Sequence, residues 1–257
     1  MIRNPVIAVV SPKGGNGKTT ISSNLTSALA RISDPIVIDL DVHFGDIEYA
    51  FRLTPFHRLD DAVEELKKNP QKDIEHLLTS HPTGLSALCA PCDPVVADYL
   101  QAEDVFAVVD ELRKLPRPMV LDTAGGITDF TLGALDRADE IVLVCGTDVP
   151  SVQSVRKLLD TMDRLQMSTE HAHLVVNRST ARCGLSVADV ESALGRKATV
   201  EIPELSSLAA GMNQGAPVAE TDPNSAGGAP FIKFANQLLG VEQSNSSLRG
   251  RFAKVRA

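Results

Sequence analysis

The chain has 257 residues, of which 43% are hydrophobic, so it can build one large α/β domain or two small ones. Its formal charge of −8 disfavours wholesale nucleic-acid binding. No apolar run approaches the ~20 residues that span a bilayer, and the sequence opens on a strand-like segment without a secretory signal pattern. We therefore expect a cytoplasmic protein whose four cysteines are reduced.

Short apolar runs alternate with stretches of helical period along the chain. Most of the runs are rich in Val, Ile and Leu, as strands buried on both faces are. They predict strands at residues 6–10, 36–40, 85–89, 119–122, 141–145, 174–176 and 199–202. The intervening and following stretches predict helices at 19–31, 60–68, 104–114, 152–165, 187–194, 205–213 and 231–239. This alternation predicts an α/β fold with a doubly wound, mainly parallel sheet and helices on both faces.

One folded domain is expected over residues 1–240. The segment 221–230, TDPNSAGGAP, is turn-rich and leads into the last predicted helix. After Gly240 the sequence becomes polar and rich in Ser and Asn, and its final ten residues are basic. Residues 241–257 are therefore predicted to form a flexible basic tail outside the domain.

The segment 13–20, KGGNGKTT, lies between the first predicted strand and the first predicted helix. This strand–loop–helix context is what the phosphate loop of a P-loop NTPase requires, because the glycines let backbone N–H groups point at a phosphate. We expect Lys18 to reach the β- and γ-phosphates, Thr19 to ligate Mg²⁺ and Thr20 to bond the α-phosphate. The residues expected to surround the nucleotide phosphates are Gly14, Gly15, Asn16, Gly17, Lys18, Thr19 and Thr20.

A second lysine, Lys13, distinguishes this loop from the common phosphate-loop pattern, which has a glycine where Pro12 stands. Lys18 already serves the bound phosphates, so Lys13 is placed to reach a second nucleotide in a facing subunit. A cation on the developing charge of the leaving group raises the rate by orders of magnitude. If Lys13 supplies it to the partner subunit, hydrolysis is coupled to dimerisation.

Three aspartates follow apolar strands. Asp39 and Asp41 are two residues apart, so both side chains point to one side at the carboxyl end of the sheet, where doubly wound folds bind ligands. Asp122 ends the strand PMVLD, as the aspartate that holds Mg²⁺ through water does in phosphate-loop enzymes. The alternative is that all three are turn or capping residues.

The loop KGGNGKT resembles the deviant Walker A motif, KGGxGK[ST], of the ParA/MinD group of positioning and partition ATPases. The resemblance extends over residues 7–239. In that family the second aspartate of the D-x-D motif positions or activates the attacking water, which implies this role for Asp41 and leaves Asp39 to support Mg²⁺ through its water shell. The cofactors implied are ATP and Mg²⁺.

The resemblance also implies an adenine pocket. The family has an Asn at the end of the strand HLVVN, here Asn177, whose amide can both donate to and accept from the base edge. Arg178 would pack over the base, and Pro203 and Glu204 would border the pocket. The sequence has no NKxD-type guanine motif, which favours ATP over GTP.

Two further sequence features, a CxxC pair and the basic tail, each allow more than one interpretation. The pair Cys89 and Cys92 forms a CxxC motif without the further ligands of a structural zinc site, so we interpret these residues as incidental. In the tail, apolar residues recur at helical spacing among basic ones, which is typical of a helix on an anionic membrane; the alternative is a disordered basic tail. The tail residues concerned are Leu248, Arg249, Arg251, Phe252, Lys254, Val255 and Arg256.

The motifs DLDVHFGD and LDDAV resemble the pilus-assembly branch of the family, TadZ/CpaE. This implies a homodimer with ATP sandwiched at its interface, slow turnover, and recruitment of pilus or secretion proteins to a cell location such as a pole. A partition or cell-division ATPase that binds nucleoid DNA or membrane is the alternative, with DNA binding not favoured. A third reading is a scaffold that binds ATP without turnover.

Overall fold

A computed structural model describes residues 3–181 and 184–241. Within them the chain forms one eight-stranded sheet in the order β3-β4-β2-β5-β1-β6-β7-β8, in which β3 pairs antiparallel and every other pair is parallel. The strands are β1 (Val6–Val10), β2 (Ile36–Leu40), β3 (Thr79–Ser80), β4 (Ser86–Leu88), β5 (Met119–Thr123), β6 (Glu140–Cys145), β7 (Ala172–Asn177) and β8 (Ala198–Ile202). The predicted fold class is confirmed.

Helices cover both faces of the sheet. They are α1 (Lys18–Leu29), α2 (Ile47–Ala50), α3 (Leu59–Lys68), α4 (Pro94–Ala97), α5 (Ala102–Leu112), α6 (Asp129–Arg137), α7 (Val149–Arg164), α8 (Val187–Leu194), α9 (Ser206–Gln214), α10 (Val218–Thr221) and α11 (Ala229–Leu239). In the part of the chain that the structure describes, no helix is both long and apolar enough to cross a membrane.

The sequence reasoning missed the short elements β3, α2, α4 and α10, because two to four residues display no periodicity. It also missed α6, DFTLGALDR, in which Thr131 and Gly133 weaken helix propensity. Gly133 is needed there, since a Cβ atom would lie 2.1 Å from the Phe106 ring. Close packing against α5 therefore stabilises a helix that the helix propensities of its residues did not predict.

Two hydrophobic layers form on the two faces of the sheet. Odd and even residues of β1 divide between them: Val6, Ala8 and Val10 belong to one layer, and Ile7 and Val9 to the other. All five are at most 2% exposed, which explains why the strand is apolar throughout. Helices α3, α5 and α6 cover the first layer, and α1, α2 and α11 cover the second.

The chain order places the functional loops together. β1 lies in the middle of the sheet between β5 and β6, and parallel strands bring their carboxyl ends to one edge. The loop 11–17 therefore lies beside the ends of β2, β5, β6 and β7. Val241, the first residue of the predicted tail, packs against the second core layer, while residues 242–257 lie outside the described residues.

Candidate functional site

The phosphate loop connects β1 to α1 through left-handed glycines. Gly15 and Gly17 have φ of +78° and +87°, a conformation that costs glycine little and other residues more. Gly17 also caps α1, and a Cβ atom there would lie 2.5 Å from Nδ2 of Asn177. The loop therefore requires glycine at both positions. Gly15 is required for its backbone angle alone, and Gly17 for its backbone angle and for the space that Asn177 occupies.

The two lysines of the loop diverge. Lys18 lies inside the site at 8% exposure; burial lowers the pKa of its amine, and Asp122 and Asp41 partly restore it. Lys13 lies at the surface with a side chain 38% exposed, and its Nζ contacts Oδ1 of Asp148 at 2.6 Å in the same chain. The prediction that Lys13 reaches a second subunit is untested, and in this structure its partner is intramolecular.

Asp148 and Ser151 were missed by the sequence reasoning. Asp148 caps α7 by accepting from the Ser151 backbone N–H at 3.0 Å, and the Ser151 hydroxyl lies 2.6 Å from its other oxygen. Partial burial opposes ionisation of Asp148, but bonds from Lys13 and Ser151 outweigh it and bring its pKa to about 2. The sequence signal was the capping spacing D-x-x-S directly after β6.

Asn16 ties the loop to its surroundings at 6% exposure. Its Nδ2 donates to Ser11 Oγ, its Oδ1 accepts from Ser151 Oγ, and its backbone oxygen accepts from Asn177 Nδ2, each at 2.8 Å. A hydrogen-bonded chain therefore runs from Asn177 through Asn16 and Ser151 to Asp148, which holds Lys13.

Asp39 and Asp122 are register partners on β2 and β5, and both are at most 1% exposed. The two oxygens of Asp39 accept backbone N–H bonds from Asp41 and Ile47, each at 3.1 Å. Ser22 on α1 donates to Oδ1 of Asp122 at 2.7 Å, whereas Oδ2 has no hydrogen-bond partner among the described residues. The nearby Thr19 hydroxyl and Lys18 amine still favour the ionised form of Asp122. Burial raises the pKa of both carboxyls, and the proximity of Asp122 raises that of Asp39 further.

Ser22 belongs to a set of polar side chains on α1 that is unusual for a buried helix. The buried polar residues of this helix are Lys18, Ser22, Ser23, Asn24, Thr26 and Ser27. The sequence TTISSNLTS following a phosphate loop could have indicated that α1 contributes hydrogen bonds to the site. The sequence reasoning used only its first two threonines.

Asp41 lies just beyond β2 and is partly exposed. Its Oδ1 accepts a weak bond from the backbone N–H of Phe44 at 3.3 Å. Gly45 allows the following turn to close, since a Cβ atom there would lie 2.4 Å from Oδ2 of Asp39. Asp41 thus lies on a turn that is held against Asp39, close enough for its charge to raise the pKa values of Lys18 and Asp122.

The donor set fits Mg²⁺. The described residues contain no group of three or more His, Cys, Asp or Glu side chains that would hold a metal alone. Mg²⁺ keeps several waters and is usually held by one or two carboxylates together with substrate phosphates. The unpartnered oxygen of Asp122, its neighbour Asp39 and the hydroxyl of Thr19 at the start of α1 supply such a set.

The four predicted base-pocket residues come together at the ends of β7 and β8. Asn177, Arg178, Pro203 and Glu204 line a cavity of about 400 Å³ that also reaches Gly17 of the phosphate loop. Arg178 has φ of +57°, which is strained for a residue with a side chain and is typical of functional sites. Asn177 already uses one N–H on Asn16 and accepts the Arg178 N–H, leaving its second N–H for a ligand.

Cys89 and Cys92 take no part in this site. Cys89 is buried, and burial raises the pKa of its thiol to about 12, so it is a poor nucleophile at neutral pH. Cys92 is exposed. The interpretation of this pair as incidental is unchanged.

The sequence matches a family model, described as the CobQ/CobB/MinD/ParA nucleotide binding domain, over residues 7–218. The chain belongs to this family. Among curated relatives, the septum site-determining protein MinD of Thermotoga maritima is 25% identical over 244 residues, which cover 91% of this chain and 88% of that protein. The resemblance of the loop to the ParA/MinD group is thereby confirmed at the level of the family.

Solved structures of ParA/MinD proteins share the fold. The ParA family ATPase of Chlorobium tepidum superposes with a TM-score of 0.82 at 18% identity, covering 90% of this chain and 98% of that one. MinD of Pyrococcus horikoshii, complexed with Mg-ADP, superposes with a TM-score of 0.79 at 18% identity, covering 91% and 95%.

Proposed function

We propose that this protein is an ATP-dependent dimeric switch that hydrolyses ATP slowly and positions other proteins in the cell. The observation that carries the proposal is the divergence of the two loop lysines. Lys18 points into a site with buried carboxylates, whereas Lys13 lies on the surface of the same loop, where a second subunit can be reached. One lysine suits the nucleotide of its own chain and the other suits that of a partner.

The residues divide the work of the site. Lys18 and the loop backbone bind the phosphates, and Asn177 with Arg178, Pro203 and Glu204 receives adenine. Asp122, Asp39 and Thr19 hold Mg²⁺, which neutralises phosphate charge when bound. Asp41 orients the attacking water.

Lys13 would leave Asp148 to act on the partner's nucleotide. Exposed ion pairs of this kind contribute at most about 1 kcal/mol, so a dimer contact to phosphate can replace this one. When Lys13 exchanges Asp148 for a phosphate of the partner's ATP, the two chains form a homodimer with ATP at its interface. Its turnover should be slow, because each catalytic lysine is available only in the dimer.

Two sequence motifs and the curated relatives bear on the cellular role. DLDVHFGD and LDDAV resemble the pilus-assembly branch, which implies pilus or secretion partners and a polar or membrane-peripheral location. Curated relatives named as septum site-determining MinD support a second candidate, a cell-division positioning ATPase. One solved relative is a MinC:MinD complex from Aquifex aeolicus, which makes a partner protein reasonable in either case. Nucleoid DNA binding has less support, given the charge of −8.

The proposal is tested by light scattering with and without Mg-ATP on the wild type, Asp41→Ala and Lys13→Ala. The wild type should dimerise transiently with ATP, and Asp41→Ala should remain dimeric because water is no longer oriented. Lys13→Ala should bind ATP and stay monomeric. A Lys13→Ala protein that dimerises and hydrolyses ATP normally would contradict the role of the second lysine.

Binding and turnover assays on the same protein preparation distinguish the alternative functions. ATP-dependent DNA binding that weakens with salt would support partition, whereas binding to anionic vesicles or to a pilus ATPase would support positioning at the membrane. A wild type that binds ATP and releases no phosphate, alone or with such partners, would support the scaffold reading.

A further inference from the structure

The surface around α2 combines exposed aromatic residues with concave shape. Tyr49 is 67% exposed. On one side of it a cavity of about 560 Å³ lies between α2 and the end of α9; we call this cavity the α2 groove, defined by residues 46, 48–50, 52, 53 and 212–215. On its other side a cavity of about 360 Å³ extends to Phe44, which is 80% exposed. Exposed aromatics beside concave surface are typical of docking sites.

The α2 groove is built by a close contact between two elements. α9 ends at Gly215, where a Cβ atom would lie 2.3 Å from Cγ of Arg52 and 2.6 Å from the backbone oxygen of Tyr49. Only glycine permits that approach without a shift. Arg52 itself has φ of +49°, so both walls of the groove are fixed by unusual backbone.

The surroundings of the groove are acidic. Residues 41–61 and 91–98 carry seven carboxylates against two arginines. Arg58 is already paired with Glu48 at 2.7 Å, so the remaining arginine is Arg52 at the groove, opposite the exposed Asp46. A ligand that presents apolar side chains together with several cations is therefore favoured.

The chain itself contains a segment of that chemistry. Three apolar residues at helical spacing, Leu248, Phe252 and Val255, lie among four cations, Arg249, Arg251, Lys254 and Arg256. These residues are outside the described part of the chain. We propose that residues 248–256 bind in the α2 groove of the same chain.

The reach of the intervening chain agrees with this assignment. Val241 and α2 belong to the same core layer, so both lie on one face of the sheet. The Arg3 N–H donates to the Leu239 oxygen, which puts the end of α11 at the amino edge, and α1 spans from there to the carboxyl edge over 12 residues, or about 18 Å. The six residues 242–247 extend to about 20 Å, which covers this rise when they are almost fully extended.

Docking in the groove and binding to an anionic surface would compete, because both use the same apolar residues and cations. The groove thus gives the basic segment a second position inside the protein. This inference does not depend on ATP turnover, and its test uses no nucleotide.

The test uses the full chain carrying Phe252→Trp, because the protein has no tryptophan and this becomes its single reporter. The synthetic peptide 242–257 with the same substitution is the reference for a free segment. In the protein, we expect emission at shorter wavelength and iodide quenching several-fold weaker than in the peptide, both independent of protein concentration.

Matched tyrosine variants locate the contact. Tyr49→Ser in the Phe252→Trp background should restore the quenching of the free peptide. Tyr99→Ser should not, since Tyr99 is also largely exposed, at 77%, and lines neither cavity. Far-UV circular dichroism checks that each variant is folded. Replacing Arg249, Arg251, Lys254 and Arg256 by Ser should also release the segment, and so should raised salt.

Four results would overturn the inference. Emission and quenching equal to those of the peptide would show that the segment is not docked, and a change only with vesicles of anionic phospholipid would assign it to membrane. Protection that grows with protein concentration would place the segment on a second copy. Equal effects of Tyr49→Ser and Tyr99→Ser would move the contact away from the groove.

Discussion

Two buried carboxylates at opposite edges of the sheet differ in their partners, and the difference separates a structural role from a ligand-binding one. Glu140, at the amino end of β6, is 3% exposed and contacts both Arg3 Nη1 and His173 Nε2 at 2.8 Å. Asp122, at the carboxyl end of β5, is fully buried with one oxygen unpartnered among the described residues. A carboxylate whose two oxygens are both held by basic side chains belongs to the fold, whereas one that keeps an oxygen without a donor is suited to a ligand cation.

Among the single variants, the largest loss of nucleotide binding is expected at Lys18, the buried lysine of the phosphate loop. Lys18→Ala should weaken ATP binding by about 100-fold or more, because a buried charge-assisted contact to phosphate is worth about 3 kcal/mol. Isothermal titration calorimetry with Mg-ATP measures this. Lys68→Ala, which removes an exposed lysine paired with Glu64, is the control and should leave affinity unchanged. Normal ATP binding by Lys18→Ala would refute the site.

Glu140 should be necessary for the stability of the fold and not for nucleotide binding. Glu140→Gln should destabilise the protein by about 2–4 kcal/mol, because it leaves Arg3 and His173 without their buried partner. Urea denaturation gives this value. Glu64→Gln breaks an exposed pair and should cost under about 1 kcal/mol. If Glu140→Gln were as mild as Glu64→Gln, the amino-edge pairing would not be structural.

Asp122 should behave in the opposite way. Asp122→Asn should stabilise the nucleotide-free protein at pH 7 by about 1–3 kcal/mol, because it deletes a charge that burial disfavours. It should also weaken Mg-ATP binding, because the amide is a poorer partner for the metal. Thermal denaturation without nucleotide provides the comparison. Destabilisation by this substitution would mean that Asp122 contributes to the fold as Glu140 does.

The same variant gives a pH test. The pKa of Asp122 is raised to about 6 in the folded protein from an ordinary value of 3.8, so the folded state binds the proton more tightly than the unfolded state. The wild type is therefore destabilised above pH 6 and recovers as the pH falls toward 4. The stability difference between wild type and Asp122→Asn should narrow over that range, and a constant difference would contradict the raised pKa.

The smallest effect is expected at Asn16, which joins the loop to its surroundings without a predicted phosphate contact of its side chain. Asn16→Val removes the side-chain bonds to Ser11 and Ser151 and keeps the backbone oxygen that Asn177 uses. ATP affinity should fall by about five-fold, or about 1 kcal/mol. Calorimetry on Asn16→Val beside Lys18→Ala decides this, since an equally large loss would mean that Asn16 binds the nucleotide directly.

Local sequence patterns predicted most of the strands and the position of the phosphate loop. Apolar runs predicted six of the strands at or near their observed bounds, because strands buried on both faces must be apolar throughout. The seventh predicted strand, β8, instead alternates exposed Thr199 and Glu201 with more buried residues. The glycines, lysines and threonines of residues 13–20 predicted a phosphate loop, because only that residue set wraps a phosphate at the start of a helix. The roles of these residues remain predictions that the mutants above test.

Other features depended on residues far apart in sequence, and only the tertiary structure decided them. Lys13 meets Asp148 across 135 positions, and Ser22 meets Asp122 across 100. No periodicity or spacing encodes such pairs, because they form when distant strands bring their ends to one edge. The sequence by itself determined the fold class and predicted which loop binds phosphate. The packing of the sheet decided that Glu140 is ion-paired, that one oxygen of Asp122 has no donor among the described residues, and that Lys13 contacts Asp148.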